Sequence, residues 1–119
     1  MSLREAVAGA QAALRDLAGE LAEYRRGSAS VAVQAVFGET VFRLPDDEGI
    51  EVRVVMPDCF IEAAQLRLGG AQIKPQIGDR VLKQDGTVYQ VLGPGGGEPE
   101  WRWSGPPGLQ YRIHLKEIS

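Results

Sequence analysis

One cysteine, Cys59, and one histidine, His114, stand in a chain of 119 residues. The single thiol excludes an internal disulfide and fits a reducing compartment. One Cys and one His cannot supply the four N or S ligands of the common zinc sites, and there is no Cys-x-x-Cys. Nucleophilic catalysis needs a base beside its nucleophile, and the lone histidine lies between Arg112 and Lys116 on the polar side of an alternating stretch, where it reads as an exposed strand residue. No catalytic, metal or cofactor site is expected. Long apolar runs are missing too: none approaches the roughly 18 residues of a membrane span. Residues 1–14, MSLREAVAGAQAAL, lack the basic and then apolar regions of a secretion signal. A cytosolic, non-membrane protein is the expectation. Nor is there an excess of basic residues. Thirteen Lys and Arg against sixteen Asp and Glu give −3, the wrong sign for a protein whose task is to neutralise phosphates. Residues 1–60 hold six basic and ten acidic side chains and residues 61–119 seven and six, which suggests at most one acidic face.

What is present begins with helical signals. Ser2-x-x-Glu5 matches a capping box, and 2–26 is rich in Ala, Leu, Glu and Arg. Leu3, Val7, Ala10, Leu14, Leu17, Leu21 and Tyr24 step by four and three, an a/d stripe over three heptads, and Gly27 supplies a stop. The spacing predicts an amphipathic helix over 1–27. Its stripe either covers the β core of its own chain or, through Leu3, Val7, Leu14, Leu17 and Leu21, contacts a neighbouring subunit.

From Ser30 the period becomes two. Val31 to Phe37 and Thr40 to Leu44 read as a hairpin turning at Gly38-Glu39. Pro45 to Gly49 is an acidic turn, and Ile50 to Met56 a strand ending at Pro57. Phe60 is a candidate core residue, and 62–66 a single helical turn or a bend ended by Gly69-Gly70. Ile77 to Leu92 carries the strongest local signal: two β-rich runs joined by Asp85-Gly86, residue types that tolerate the turn of a hairpin. A closing strand follows, with Leu109, Tyr111, Ile113 and Leu115 alternating with Gln110, Arg112, His114 and Lys116. The fold class is mainly β with an N-terminal α-helix. The expected architecture is a small antiparallel β-barrel or sandwich of six to seven short strands over 28–119, one domain overall.

Three stretches invite chemistry. Asp46-Asp47-Glu48 could gather a hard cation, but in a turn such residues are solvated by default. The run at 93–97 resembles a phosphate loop only in its glycines: no Gly-Lys-Ser/Thr follows, and Glu98-Pro99-Glu100-Trp101 is acidic and extended, so 93–100 is a surface loop. Trp101 and Trp103 share a strand face, either plugging one barrel end or presenting aromatic surface beside that loop.

Pro75-x-x-Gly78-Asp79-Arg80-Val81, Asp85-Gly86-x-Val88-Tyr89-x-Val91, Trp101-Arg102-Trp103 and Arg112-Ile113-His114-x-Lys116 together resemble the head-tail joining, or head-completion and stopper, proteins of tailed phages and prophages. The match runs from about Val31 to Ile118. The resemblance implies a non-enzymatic virion component that assembles as a ring beneath the portal, seals the DNA channel and receives the tail. Its partners would be copies of itself, the portal or adaptor and tail proteins. It would be found in the host cytoplasm during assembly and then at the virion neck, with no membrane and no specific nucleic-acid binding. Gly95, Gly96, Gly97, Glu98, Trp101 and Trp103 would form an assembly loop. The alternative is an SH3-like or OB-like barrel binding a peptide or single-stranded nucleic acid through Trp101, Trp103 and Tyr111, for which Arg102 and Arg112 are the only cations at hand.

Overall fold

In the computed structural model, residues 19–119 are described. They form nine strands: β1 (Glu20–Arg26), β2 (Ala29–Pro45), β3 (Glu51–Glu62), β4 (Arg67–Leu68), β5 (Ala71–Gln72), β6 (Arg80–Lys83), β7 (Val88–Val91), β8 (Trp101–Trp103) and β9 (Gln110–Glu117). A 3-10 turn over Ala63–Gln65 separates β3 from β4. Every pairing is antiparallel, in the order β3-β2-β1-β6-β7-β9, and β9 returns to β3, so six strands close a barrel. β8 adds to β9, and β4 pairs with β5 apart from the barrel. The architecture is thus the barrel of the two expected forms. Its core gathers alternate residues of each strand: Ala22 and Tyr24, Val33 and Ala35, Cys59 and Ile61, Val81, Val91, and Tyr111, Ile113 and Leu115.

The helix expected over 1–27 fails at its C-terminal end: Glu20–Arg26 is strand β1. All seven residues pair with β2, and four of them also pair with β6. Helix preference among such residues differs by less than about 0.7 kcal/mol each. Burying a large apolar side chain stabilises by about 1.5–3 kcal/mol, and a hydrogen bond to a charged partner by about 1.5–3 kcal/mol. Tyr24 gains both, being fully buried with its hydroxyl on Asp79. Residues 2–17 of the stripe lie outside the described residues.

The hairpin expected at Gly38-Glu39 is instead one 17-residue strand, β2, and Pro57 does not end the next strand, which runs on to Glu62. Gly38 keeps an extended backbone and sits opposite Asp58, where an added Cβ would lie 3.3 Å from the Asp58 carboxylate oxygen Oδ1. The glycine makes room rather than a turn. Pro57 lies one residue beyond the β3–β9 pairing, where that edge of β3 has no strand partner among the described residues and a missing N–H is tolerated. The acidic turn is present: Asp46 Oδ1 accepts from the backbone N–H groups of Glu48 at 2.9 Å and Ile50 at 2.8 Å.

Among the described residues, beyond Phe37 and Asp58 β2 and β3 pair only with each other and leave the barrel as a two-stranded arm. The β6–β7 hairpin forms as expected, with a four-residue connection in which Gly86 alone takes positive φ, +93°, and Asp85 Oδ1 accepts from the Thr87 N–H. β7 and β8 occupy the same edge of β9. From Val91↔Leu115 to Trp101↔Ile113 one side advances ten residues and the other two. Residues 93–100 are therefore an eight-residue excursion from a single edge strand.

Candidate functional site

The excursion is folded back on itself. Gly95, Gly96 and Gly97 take positive φ of 101°, 61° and 82°, which glycine adopts without cost. Gly95 pairs with Glu98, whose N–H donates to the Gly95 carbonyl at 3.1 Å. The loop rests on the arm: a Cβ on Gly96 would approach Leu44 Cδ2 to 3.0 Å. Glu98 meets Arg102 at 3.6 Å, and the Arg102 guanidinium lies 5.7 Å from the centre of the Phe42 ring. Gly95, Gly96, Gly97 and Glu98 remain exposed, and arm and loop share one surface.

Beneath them lies a buried polar group. Asp58 is fully buried in β3, and its Oδ2 accepts from Arg112 Nε at 2.9 Å and from the Thr40 hydroxyl. Directly opposite, His114 is also fully buried, with Phe42 set edge-on at 4.9 Å between ring centres. The expectation of an exposed histidine is thus corrected. The arm folds Phe42 over His114, while Arg112 stays partly exposed and Lys116 exposed on the same side of β9. Burial and the nearby Arg102 and Arg112 hold the His114 imidazole below its ordinary pKa, with Asp58 and Glu98 opposing. Among the described residues, Asp58 Oδ1 and both ring nitrogens of His114 have no hydrogen-bond partner. Burial beside Asp58 pushes the Cys59 thiol well above its ordinary range, so it is not a ready nucleophile.

A second buried carboxylate, Asp79, binds β1. Its oxygens accept from Arg26 Nε at 2.9 Å, Arg26 Nη2 at 2.8 Å, the Tyr24 hydroxyl at 2.5 Å and the Gln76 N–H at 3.0 Å. This explains Pro75-x-x-Gly78-Asp79 as a structural clasp. Sequence reasoning passed over both aspartates. The available signal was an aspartate set inside an apolar run, Val54-Val55-Met56-Pro57-Asp58-Cys59-Phe60-Ile61.

Trp103 stacks on Tyr111 at 4.6 Å and 17°, and Trp101 stands edge-on to both. Both tryptophans are half-buried against the core, and Tyr111 is buried with its hydroxyl toward the Ile73 carbonyl. The three rings pack against one another as one aromatic cluster. Phe60 is half-buried rather than core. Of the proposed subunit contacts, Leu21 is 46% exposed on β1, and Leu3, Val7, Leu14 and Leu17 lie outside the described residues. Among the described residues no group of three His, Cys, Asp or Glu is placed to hold a metal ion, and no helix is long and apolar enough to cross a membrane.

Exposed apolar surface collects on the arm, at Val41, Ile50, Val52 and Val55. Where the arm departs from β9, a groove of about 510 Å³ opens, lined among others by Val55, Pro57, Tyr89, Leu92 and Leu115. The geometry is therefore one of surfaces for contact.

No curated protein matches the chain. A family model described as phage head-tail joining protein matches residues 1–119, the whole length. With that match the chain belongs to the phage head-tail joining protein family.

Proposed function

We propose that the protein is a non-catalytic connector that assembles as a ring at the virion neck, closes the DNA channel below the portal and receives the tail. The observation that carries this reading is the arm. Two strands leave a closed barrel, their outer edges unpaired among the described residues, and present Ile50 and Val52, 59% and 41% exposed, near the tip. A two-stranded ribbon alone is marginally stable, and vacant edges invite pairing with another chain. Copies of the protein, the portal or adaptor and tail proteins are the partners this reading requires, with Leu21 and loop residues Gly95, Gly96, Gly97 and Glu98 adding to the contact surface. The net negative charge is compatible with a channel through which DNA must slide without being gripped.

The test is a phage complementation assay with Ile50→Asp and Val52→Asp combined. The barrel stays folded and filled heads accumulate without tails. Normal yields of infectious particles from this variant would reject the reading.

A further inference from the structure

Two arginines face each other across neighbouring strands on the outside of the barrel wall. Arg25 of β1 pairs directly with Arg80 of β6, and because Tyr24 and Val81 beside them point into the core, both guanidinium groups stand on the outer face. Like charges set directly opposite one another are destabilising. Glu23, 3.0 Å from Arg25 Nη2, offsets one of the two. Arg25, Gly27, Gly78 and Arg80 line a concavity of about 360 Å³, and a Cβ built on either glycine would meet nothing within 4 Å, so the space is open. Ile77, next to Gly78 in the chain, is 56% exposed. This surface calls for carboxylates set beside an apolar side chain.

The arm ends in that combination. Residues 46–51 hold four carboxylates, one isoleucine and no cation. The turn is internally braced: Asp46 Oδ1 accepts from the N–H groups of Glu48 and Ile50, the Gly49 N–H donates to the Asp46 carbonyl at 3.0 Å, and Gly49 takes a φ of +80°. Asp46 is therefore used within the turn, and Glu51 lies 3.6 Å from Arg43. Asp47 and Glu48 are exposed beside Ile50. A turn ordered in advance loses little freedom when it binds.

The tip and the concavity of one chain cannot meet. Around the closed barrel, β1 and β6 form the wall opposite β9 and β3. The arm lies on the β9 side, with Phe42 over His114 and Leu44 against the loop at Gly96. Along the chain the two features flank opposite ends of β2, which runs from Ala29 to Pro45, sixteen steps or about 53 Å of strand. A tip therefore reaches the concavity of a second copy, whose own tip is left for a third. Such a head-to-tail contact closes into a ring where the rotation between copies permits it.

We propose that the arm tip of one copy docks through Asp47, Glu48 and Ile50 between Arg25 and Arg80 and against Ile77 of the next. This names the subunit contact of the ring and in that sense rests on the connector reading above.

The experiment is light scattering on the purified full-length protein over a concentration series at low and high salt, with two charge-reversed variants. One carries Asp47→Lys and Glu48→Lys, the other Arg25→Glu and Arg80→Glu, and circular dichroism checks that both fold. The expected result is that the parent associates at low salt and less at high salt, and that each variant alone has its dissociation constant raised at least about tenfold. An equimolar mixture of the two variants then recovers association, because reversed tips meet reversed pockets and unaltered tips meet unaltered ones. Variants that associate as the parent does overturn the proposal, as does a mixture no more associated than either variant alone, or a parent that is monomeric at every concentration. The connector role is read separately, in the complementation assay with the arm variant, so that failure of this contact and failure of that role are told apart.

Discussion

Arg26 donates to both carboxylate oxygens of Asp79 across fifty-three residues of chain, from Nε at 2.9 Å and Nη2 at 2.8 Å. Arg26 Nη2 also donates to the Lys74 carbonyl at 2.7 Å, and Tyr24 adds its hydroxyl to Asp79. Asp79 is buried, 3% exposed, whereas Arg26 keeps a third of its side chain in solvent. The pair thus resembles an anchored carboxylate more than a surface ion pair, and its weight lies on the buried partner.

Asp79→Ala leaves the buried Tyr24 hydroxyl and the Gln76 N–H without their acceptor. The expected loss is about 3 kcal/mol, since hydrogen bonds to a charged group contribute about 1.5–3 kcal/mol each and some relax onto water. In a urea titration this lowers the midpoint by about 1–3 M. Asp79→Asn retains part of the bonding and loses about half as much. A midpoint for Asp79→Ala within error of the parent would show that the clasp adds nothing to stability.

Gly38→Ala brings a Cβ to 3.3 Å from Asp58 Oδ1. The carboxylate cannot swing aside, because Oδ2 is held by Arg112 and Thr40. Overpacking of this kind costs about 1–3 kcal/mol. In an Asp58→Ala background the same substitution should cost markedly less, and the double-mutant cycle reads that coupling directly. Equal costs in both backgrounds would place the role of Gly38 elsewhere.

The strands that the sequence made legible are those whose two faces meet different surroundings. Residues 109–116 alternate cleanly because Tyr111, Ile113 and Leu115 face the core. The 77–92 hairpin is legible because Asp85 and Gly86 build its turn locally. The misreadings share one cause, a partner distant in sequence. Tyr24 fits a helical d position and equally a strand position two after Ala22, and only Asp79 and the flanking strands decide between them. Gly38 looks like a turn residue until Asp58 occupies the space it leaves. His114 alternates with apolar residues as a solvated residue would, and Phe42, which covers it, lies seventy-two positions away on β2, a single strand where the pattern predicts a hairpin.

His114 gives the arm's base a pH dependence. Its folded-state pKa is depressed, by burial first and then by Arg102 and Arg112, against an unfolded value of about 6.5. The unfolded chain therefore binds the proton more readily. The stabilising contribution is complete above about pH 6.5 and is lost as pH falls through the folded-state pKa, by up to about 1.4 kcal/mol per pH unit. Denaturation at pH 7.5 and pH 5 should show the parent losing more stability than His114→Leu. An identical loss in both proteins would assign the acid sensitivity to other groups.

Removal of residues 93–100 separates folding from assembly more cleanly than any point substitution. Leu92 N–H donates to the His114 carbonyl and the His114 N–H donates to the Glu100 carbonyl, so both ends of the excursion meet at one residue of β9. Joining Leu92 directly to Trp101 restores an uninterrupted edge strand with the registers of β7 and β8 against β9 unchanged. What is lost is the seat of Gly95 and Gly96 on Leu44 and the exposed Glu98–Arg102 pair, a contact worth at most about 1 kcal/mol at the surface. The melting temperature should move by only a few degrees, since about 1 kcal/mol corresponds to roughly 4 °C in a domain of this size. If the loop reaches a neighbour in the particle, the deletion variant folds yet fails to join heads to tails in the complementation assay. Glu98→Lys, which keeps the loop and inverts its charge, should then reduce joining by a smaller factor. A deletion variant that folds and joins normally would remove the excursion from the assembly surface and leave the arm alone to carry it.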